Sequence, residues 1–138
     1  MIIRRAKKNE KNRLWDLLLE LNLIHGGISI DHFWVAELEG EIVGFVHIED
    51  FDRNAYLCST GVTPKMRGRG IARGLLSAAS DSTEKDIFIY TLIPEFFRKM
   101  GYEFADTPDD IPQRNDEECK GCRRSDCVTM VFKKNRPK

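Results

Sequence analysis

The sequence predicts an α/β fold of the α+β kind, a mixed and mostly antiparallel sheet flanked by helices. Three observations carry that expectation. An amphipathic helical pattern follows a short apolar N-terminal stretch, three strand-like runs separated by tight turns then read as a meander, and the rest of the chain alternates helix and strand signals. With 138 residues the chain fits one domain, 1–138. A chain of that length buries roughly two thirds of its unfolded surface in one core.

Residues 2–5 read as a first strand, and Asn9 as the cap of a helix whose Leu14, Trp15, Leu17, Leu18 and Leu21 recur near helical spacing. Gly26-Gly27 would end that helix. Residues 33–38 and 41–49 form strands joined at Glu39-Gly40 as a tight hairpin, and 55–62 returns as a third strand after a turn at 50–54. Phe45 and Ile48 fall on opposite faces, as do Tyr56 and Leu57, so the sheet is expected to be covered on both sides. Pro64 stops the meander, and 71–80 is a helix with Leu75, Leu76 and Ala79 as its packing stripe. Residues 86–92 suit a central parallel strand, Pro94 opens a helix running to Met100, and Gly101 ends it. A strand at 102–105, an acidic loop carrying cysteines within 106–127, and a strand at 127–133 that closes the sheet complete the order.

Composition excludes several classes. Apolar types are 41% and charged types 32%, a globular balance, and 22 Lys and Arg cancel 22 Asp and Glu. Bulk basicity therefore gives no argument for nucleic acid. No stretch approaches the ~18 consecutive apolar residues of a membrane span, and residues 1–8 turn basic where a secretory signal would be apolar, so the expected location is cytoplasmic. Four cysteines are too few for a disulfide scaffold, and three of them crowd at Cys119, Cys122 and Cys127.

The sharpest signal lies at 61–76, where a strand ends, the chain tightens through glycines and a helix begins. Lys65, Arg67, Arg69 and Arg73 interleave with Gly68, Gly70 and Gly74, without an acid between them. Uncapped amides at a helix start plus that charge make an anion cradle, most naturally for a pyrophosphate. The dinucleotide fingerprint and P-loop spacings are both absent. A glycine-rich turn with solvated arginines is the plain alternative.

This stretch resembles the acyl-CoA loop of the GNAT superfamily of N-acetyltransferases, whose pattern is Gln or Arg, two residues, Gly, one residue, then Gly or Ala. Arg67, Gly70 and Ala72 fill it. A second signature of that superfamily, an aromatic pair followed by a Gly-aromatic step, is met by Phe96-Phe97 and Gly101-Tyr102. The resemblance implies a GNAT-like acyl-CoA N-acyltransferase fold and acetyl-CoA as co-substrate. Arg67, Gly68, Arg69, Gly70, Ile71, Ala72 and Arg73 would hold the pyrophosphate, Thr60, Gly61 and Val62 would run beside the pantetheine arm, and Phe97 would pack against it. The second half is similar more narrowly to short N-acetylglutamate synthase-like amino-acid acetyltransferases, through Tyr90 to Phe97, Asp110-Ile111-Pro112, Cys119, Cys122 and Cys127 to Met130. That implies an amino-acid acceptor such as glutamate. The basic segment those enzymes place after the first helical region is here 27–31, with no arginine.

Acetyl transfer to an amine needs a neutral amine, a polarised thioester carbonyl and a proton for the leaving thiolate. Direct attack is expected, with a backbone amide near Val62 on the thioester oxygen. The superfamily often places a tyrosine acid where this chain has Phe97, which has no proton to give, so Tyr90, Tyr102 or water would serve. Glu49, sharing a strand face with His47 and Phe45, is the candidate water-mediated base. His25, Ser59 and Thr91 are candidates for the acceptor side. Cys119, Cys122 and Cys127 suggest zinc, but a structural site takes four ligands, and buried thiols or a labile disulfide rank above metal. Competing functions are a protein or peptide amine acetyltransferase, a noncatalytic CoA-binding module and, weakest, a nucleic-acid binder. An edge strand near the C-terminus would suit a homodimer.

Overall fold

Residues 1–21, 23, 28–113 and 127–134 are described by the structure, a computed structural model. Strand β1 spans Ile2–Arg5. Helix α1 spans Lys11–Glu20, entered through a 3-10 turn at Lys8–Glu10. Asn9 therefore lies inside the turn and not at the cap. Glu10 holds the N-cap position of α1 without a side-chain cap, and its carboxylate reaches back to accept from the Lys7 amide ahead of the 3-10 turn at 2.8 Å. The helix ends at Glu20, where the Leu21 amide closes on the Leu17 carbonyl at 2.9 Å. The expected stop at Gly26-Gly27 lies outside the described residues.

A second 3-10 turn, Ile30–His32, is capped by Ser29 and leads into strand β2, Phe33–Leu38. Strand β3 is Glu41–Asp50 and β4 is Asn54–Val62. Glu39 and Gly40 both take positive φ, 52° and 81°, as the expected hairpin turn requires. Helix α2 is Ile71–Asp81, β5 is Asp86–Thr91, α3 is Pro94–Lys99, β6 is Glu103–Phe104 and β7 is Val128–Phe132. The strands form one seven-stranded mixed sheet in the order β1-β2-β3-β4-β5-β7-β6. As expected, β5 is central and parallel to β4. The last strand does not close the sheet at its edge: β7 runs antiparallel between β5 and β6, so the edge near the C-terminus is the two-residue β6.

Two compact units interleave along the chain, Met1–Ile48 with Ser59–Ser82 and Glu49–Cys58 with Thr83–Lys138. In the first unit, residues 42–48 of β3 are buried without a break, the sign of a strand covered on both faces. Toward one face Gly44 meets α2, where a Cβ would lie 3.1 Å from both Ile71 and Leu75. Toward the other, Phe45 joins Leu14, Leu17, Leu18, Phe33, Val35 and Ile42 in a core closed by α1. In the second unit the β5–β7 ladder carries α3 through a run of rings, Phe97 on Tyr102 at 5.3 Å and Tyr102 on Phe132 at 5.4 Å. The acidic loop is tied down there: Asp110 accepts from the Arg53 and Asn54 amides and from Asn54 Nδ2 at 2.8–3.0 Å, and Ile111 is buried. Those hydrogen bonds, the one from Asn54 foremost, hold the Asp110 carboxyl below the usual range.

Arg4 bridges Glu10 and Glu37, both at 2.8 Å, and ties β1 to the start of α1 and to β2. The Arg4 hydrogen bonds hold the Glu10 carboxyl at about 2. A carboxyl depressed on folding stabilises the fold at pH above its unfolded value, and that contribution is lost as pH falls from there toward its folded value. The expected result is a stability that declines between about pH 4.5 and pH 2, with a shallower decline in Glu10→Gln. Urea melts of both proteins across that window check it, and parallel slopes would exclude the pair as the cause.

Candidate active site

Strand β4 pairs with β5 over Asn54–Tyr56 and continues to Val62. Its last residues are held on the β3 side, where the Thr63 amide donates to the Val43 carbonyl at 2.9 Å. Pro64–Met66 then makes one 3-10 turn, fixed by proline's φ and by Met66 N donating to Thr63 O at 2.9 Å. Arg67 returns to extended backbone and donates Nε to the Val62 carbonyl at 3.2 Å. That bond pins the side chain to the strand end and leaves both terminal nitrogens as donors.

Gly68 and Gly70 follow with φ of 81° and 79°, the left-handed region that other residues reach only with strain. Gly70 is the N-cap of α2, and no side chain caps the helix. The amides of Ile71, Ala72 and Arg73 thus form a first turn without intrahelical acceptors, at the positive end of an eleven-residue helix. Lys65, Arg67, Arg69 and Arg73 are exposed around it. The packing of Ile71 and Leu75 over Gly44 seats this helix end on the sheet. Such an arrangement can hold a multiply charged phosphate group by its amides and arginines together.

The sequence-derived residues Thr60, Gly61, Val62 and Arg67 to Arg73 are therefore contiguous in the first unit, together with Ser59, which is buried on β4. Thr60 Oγ1 is buried with no hydrogen-bond partner among the described residues. Gly61 faces the Phe45 ring so closely that a Cβ would lie 2.6 Å from its Cζ.

Glu49, Tyr90, Thr91 and Phe97 belong to the second unit. Glu49 is half-buried near the end of β3. The Tyr90 hydroxyl donates to the Pro112 carbonyl at 2.7 Å, and its ring lies 5.5 Å from Tyr56. Thr91 Oγ1 accepts from the Ile93 amide at 3.0 Å, shaping the entry to α3. Phe97 is buried edge-on against Phe96 and Tyr102. Burial pushes the Tyr102 phenol up, which makes it a poorer acid. His25, Cys119 and Cys122 lie outside the described residues, and Cys127 is half-buried beside β7. Among the described residues no group of three His, Cys, Asp or Glu is placed to hold a metal ion. Likewise, no helix among them is long and apolar enough to cross a membrane.

Sequence reasoning missed two tethers. The Arg67 bond to Val62 joins positions five apart, a closure that spacing alone does not reveal. His47, buried on β3, accepts the Ser29 amide at 3.0 Å; its alternation with Phe45 was the available signal.

Comparison with known proteins bears on the same segments. Residues 29–104 match the acetyltransferase (GNAT) domain family. The chain is 31% identical over 125 residues to an amino-acid acetyltransferase of Mycobacterium tuberculosis, across 78% of this chain and 71% of the relative. It is 30% identical over 110 residues to an uncharacterized N-acetyltransferase of Chlorobaculum tepidum, across 74% and 70%. Its fold is similar to that of N-acetylglutamate synthase from Neisseria gonorrhoeae, complexed with coenzyme A and N-acetyl-glutamate, with a TM-score of 0.77 at 21% identity. That likeness covers 98% of this chain and 35% of the synthase, so the chain spans about a third of that protein. With the domain match extending over more than half of its length and two relatives at this level of identity, the chain belongs to the GNAT family of acetyltransferases.

Proposed function

We propose that the protein moves an acetyl group from acetyl-CoA to a primary amine, with an amino acid such as glutamate as the first acceptor to try. The observation that carries this reading is the entry to α2: two left-handed glycines, an uncapped first turn and an arginine tethered to the strand that precedes them. Such an entry suits the pyrophosphate of CoA, whose two charges meet the amides of 71–73 and the terminal nitrogens of Arg67. Thr60, Gly61 and Val62 then run beside the pantetheine arm, with a backbone amide near Val62 polarising the thioester oxygen. Phe97 is proposed to border the same arm. The amino-acid acceptor draws support from the named M. tuberculosis relative.

In the proposed reaction the amine lone pair attacks the thioester carbonyl carbon, the C–S bond breaks, and the electron pair leaves on sulfur. The proton lost by the amine passes through water to Glu49, and the thiolate takes one from Tyr90 or solvent. Glu49→Gln is expected to lower kcat by about 100-fold, with the KM for acetyl-CoA unchanged. Full activity at every pH would remove Glu49 from the mechanism. Ser59, Thr91 and His25 remain the proposed acceptor-side residues.

Calorimetric titration of reduced protein with acetyl-CoA tests the reading, followed by an acceptor panel that starts with glutamate and includes a peptide amine. One-site binding with transfer to an amino acid supports it. Transfer to the peptide alone would move the acceptor class, binding without transfer would leave a CoA-binding module, and no binding by folded protein would overturn the donor site.

A further inference from the structure

Residues 105–113 form a strap beside the β5–β7 ladder, and every anchor of it lies in the second unit. The first anchor is Thr129, whose carbonyl accepts from the Ala105 amide at 3.1 Å and whose hydroxyl shares a 2.7 Å hydrogen bond with that of Thr107. Thr129 is also the register partner of Tyr90 on β5. The second anchor is Asp110. Three donors converge on its carboxylate, the Arg53 and Asn54 amides on one oxygen at 2.8 and 3.0 Å and Asn54 Nδ2 on the other at 2.8 Å. Asp106 and Asp109 are exposed, whereas Asp110 is half-buried and Ile111 beside it is 3% exposed. Pro112 follows with its φ set by the ring, and Gln113 folds back, its Nε2 donating to the Pro108 and Ile111 carbonyls at 2.9 Å. The strap thus ends where it began, at the Tyr90–Thr129 pair, because the Tyr90 hydroxyl donates to the Pro112 carbonyl at 2.7 Å.

An acid in a surface loop is ordinarily satisfied by water. Here three charge-assisted hydrogen bonds are gathered on one carboxylate two residues from Pro112, and they fix where the Pro112 carbonyl stands. That carbonyl in turn sets a phenol. A tyrosine hydroxyl has one proton and a rotor that solvent leaves unset, and a fixed acceptor gives it a single direction. We infer that Asp110 is a positioning residue for Tyr90, fixing through Pro112 the place from which the phenol gives up its proton. This inference rests on the acetyl-transfer reading above and takes Tyr90, not solvent, as the proton source. As the thioester C–S bond breaks, the thiolate is a stronger acceptor than a carbonyl and draws the proton away. The phenol O–H bond breaks, an S–H bond forms, and water returns a proton to the phenolate oxygen. The restored hydroxyl falls back on Pro112, so each turnover starts from the same geometry.

A double-mutant cycle between Asp110 and Tyr90 tests it. Asp110→Ala removes the anchor. Asp110→Asn keeps it by another route, since its oxygen accepts the two backbone amides and a flipped Asn54 side chain accepts from its nitrogen. In Asp110→Ala, hydrogen exchange at the Arg53 and Asn54 amides should quicken about tenfold. Its kcat should fall about tenfold, with the KM for acetyl-CoA within about twofold, and Asp110→Asn should recover both losses. Tyr90→Phe alone should lower kcat by about 100-fold. Adding Asp110→Ala to it should cost no more than about a further twofold, because no hydroxyl remains to be positioned. A strap that only steadies the fold would lower kcat by the same factor in both backgrounds, and that additive result would overturn the inference. Unchanged exchange in Asp110→Ala would overturn it too, as would full kcat in Tyr90→Phe. Should Asp110→Ala fail to fold, Asn54→Ala removes one donor of the three and carries the same cycle with a drop of about threefold. Wild-type protein that transfers no acetyl group would overturn the transfer reading itself, a failure visible before any variant is made.

Discussion

Gly70→Val is expected to fold, to melt a few degrees lower and to lose affinity for acetyl-CoA by about 100-fold. The matched control is Gly40→Val. Both glycines are exposed, with φ of 79° and 81°, and a Cβ built on either meets nothing within 4 Å. Each valine therefore costs backbone strain alone, about 1–2 kcal/mol, and the two melting temperatures should fall together. Binding should separate them. To relieve the strain Gly70→Val must leave the left-handed region, which turns the amides of 70 and 71 away from the direction set by the first turn of α2. Gly40 sits in the hairpin between β2 and β3 and contributes no amide to the first turn of α2. Calorimetry with acetyl-CoA on both variants, beside thermal melts, gives the comparison. Equal donor affinity in the two would show that the loop conformation is not what the donor uses.

The elements that were legible in the sequence are those set by local pattern. Leu14, Leu17 and Leu18 keep helical spacing and are the buried residues of α1, while Leu75, Leu76 and Ala79 keep it in α2 and are buried there together with Ile71. The hairpin at Glu39-Gly40 and the loop at 67–73 were legible because glycine and charge leave a short-range signature. Pairing partners were not. A strand's alternation gives its two faces but not its neighbours, so nothing local placed β7 between β5 and β6. The same limit applies to side chains whose role is set at long range. Tyr90 reads from the sequence only as a candidate acid on a strand, while the bond of its hydroxyl to Pro112 spans 22 residues and has no local signal. Asp110 sits in an acidic run that reads as a solvated loop, yet its carboxylate holds a hairpin 56 and 57 residues away. Asn9 failed as a cap for a nearer reason. Arg4 and the Lys7 amide both bind Glu10, and that arrangement starts a 3-10 turn before the helix.

Gly61→Ala is the other substitution with a large expected effect, and it acts by contact and not by φ. The added methyl would lie 2.6 Å from Phe45 Cζ and 3.0 Å from Leu21 Cδ1, and Phe45 is fully buried in the α1 core. Overpacking of this kind costs about 1–3 kcal/mol. Either the ring moves, loosening Phe33 and the core beneath α1, or β4 moves. If β4 moves, the Val62 carbonyl moves with it, and that carbonyl holds Arg67. Loss of stability should then be accompanied by a rise of about tenfold in the Kd for acetyl-CoA. Phe45→Leu alone should cost stability through lost packing, since it shortens a buried ring. In the double variant the shorter side chain makes room for the methyl, so the two losses should fall short of their sum by about 1 kcal/mol, with acetyl-CoA affinity recovered. Urea melts and calorimetry on the four proteins of the cycle measure both quantities. Additive losses would mean that Phe45 is not the obstacle. Recovery of stability without recovery of binding would mean that the strand end is set independently of the core, and that the donor loop takes its position from α2 alone.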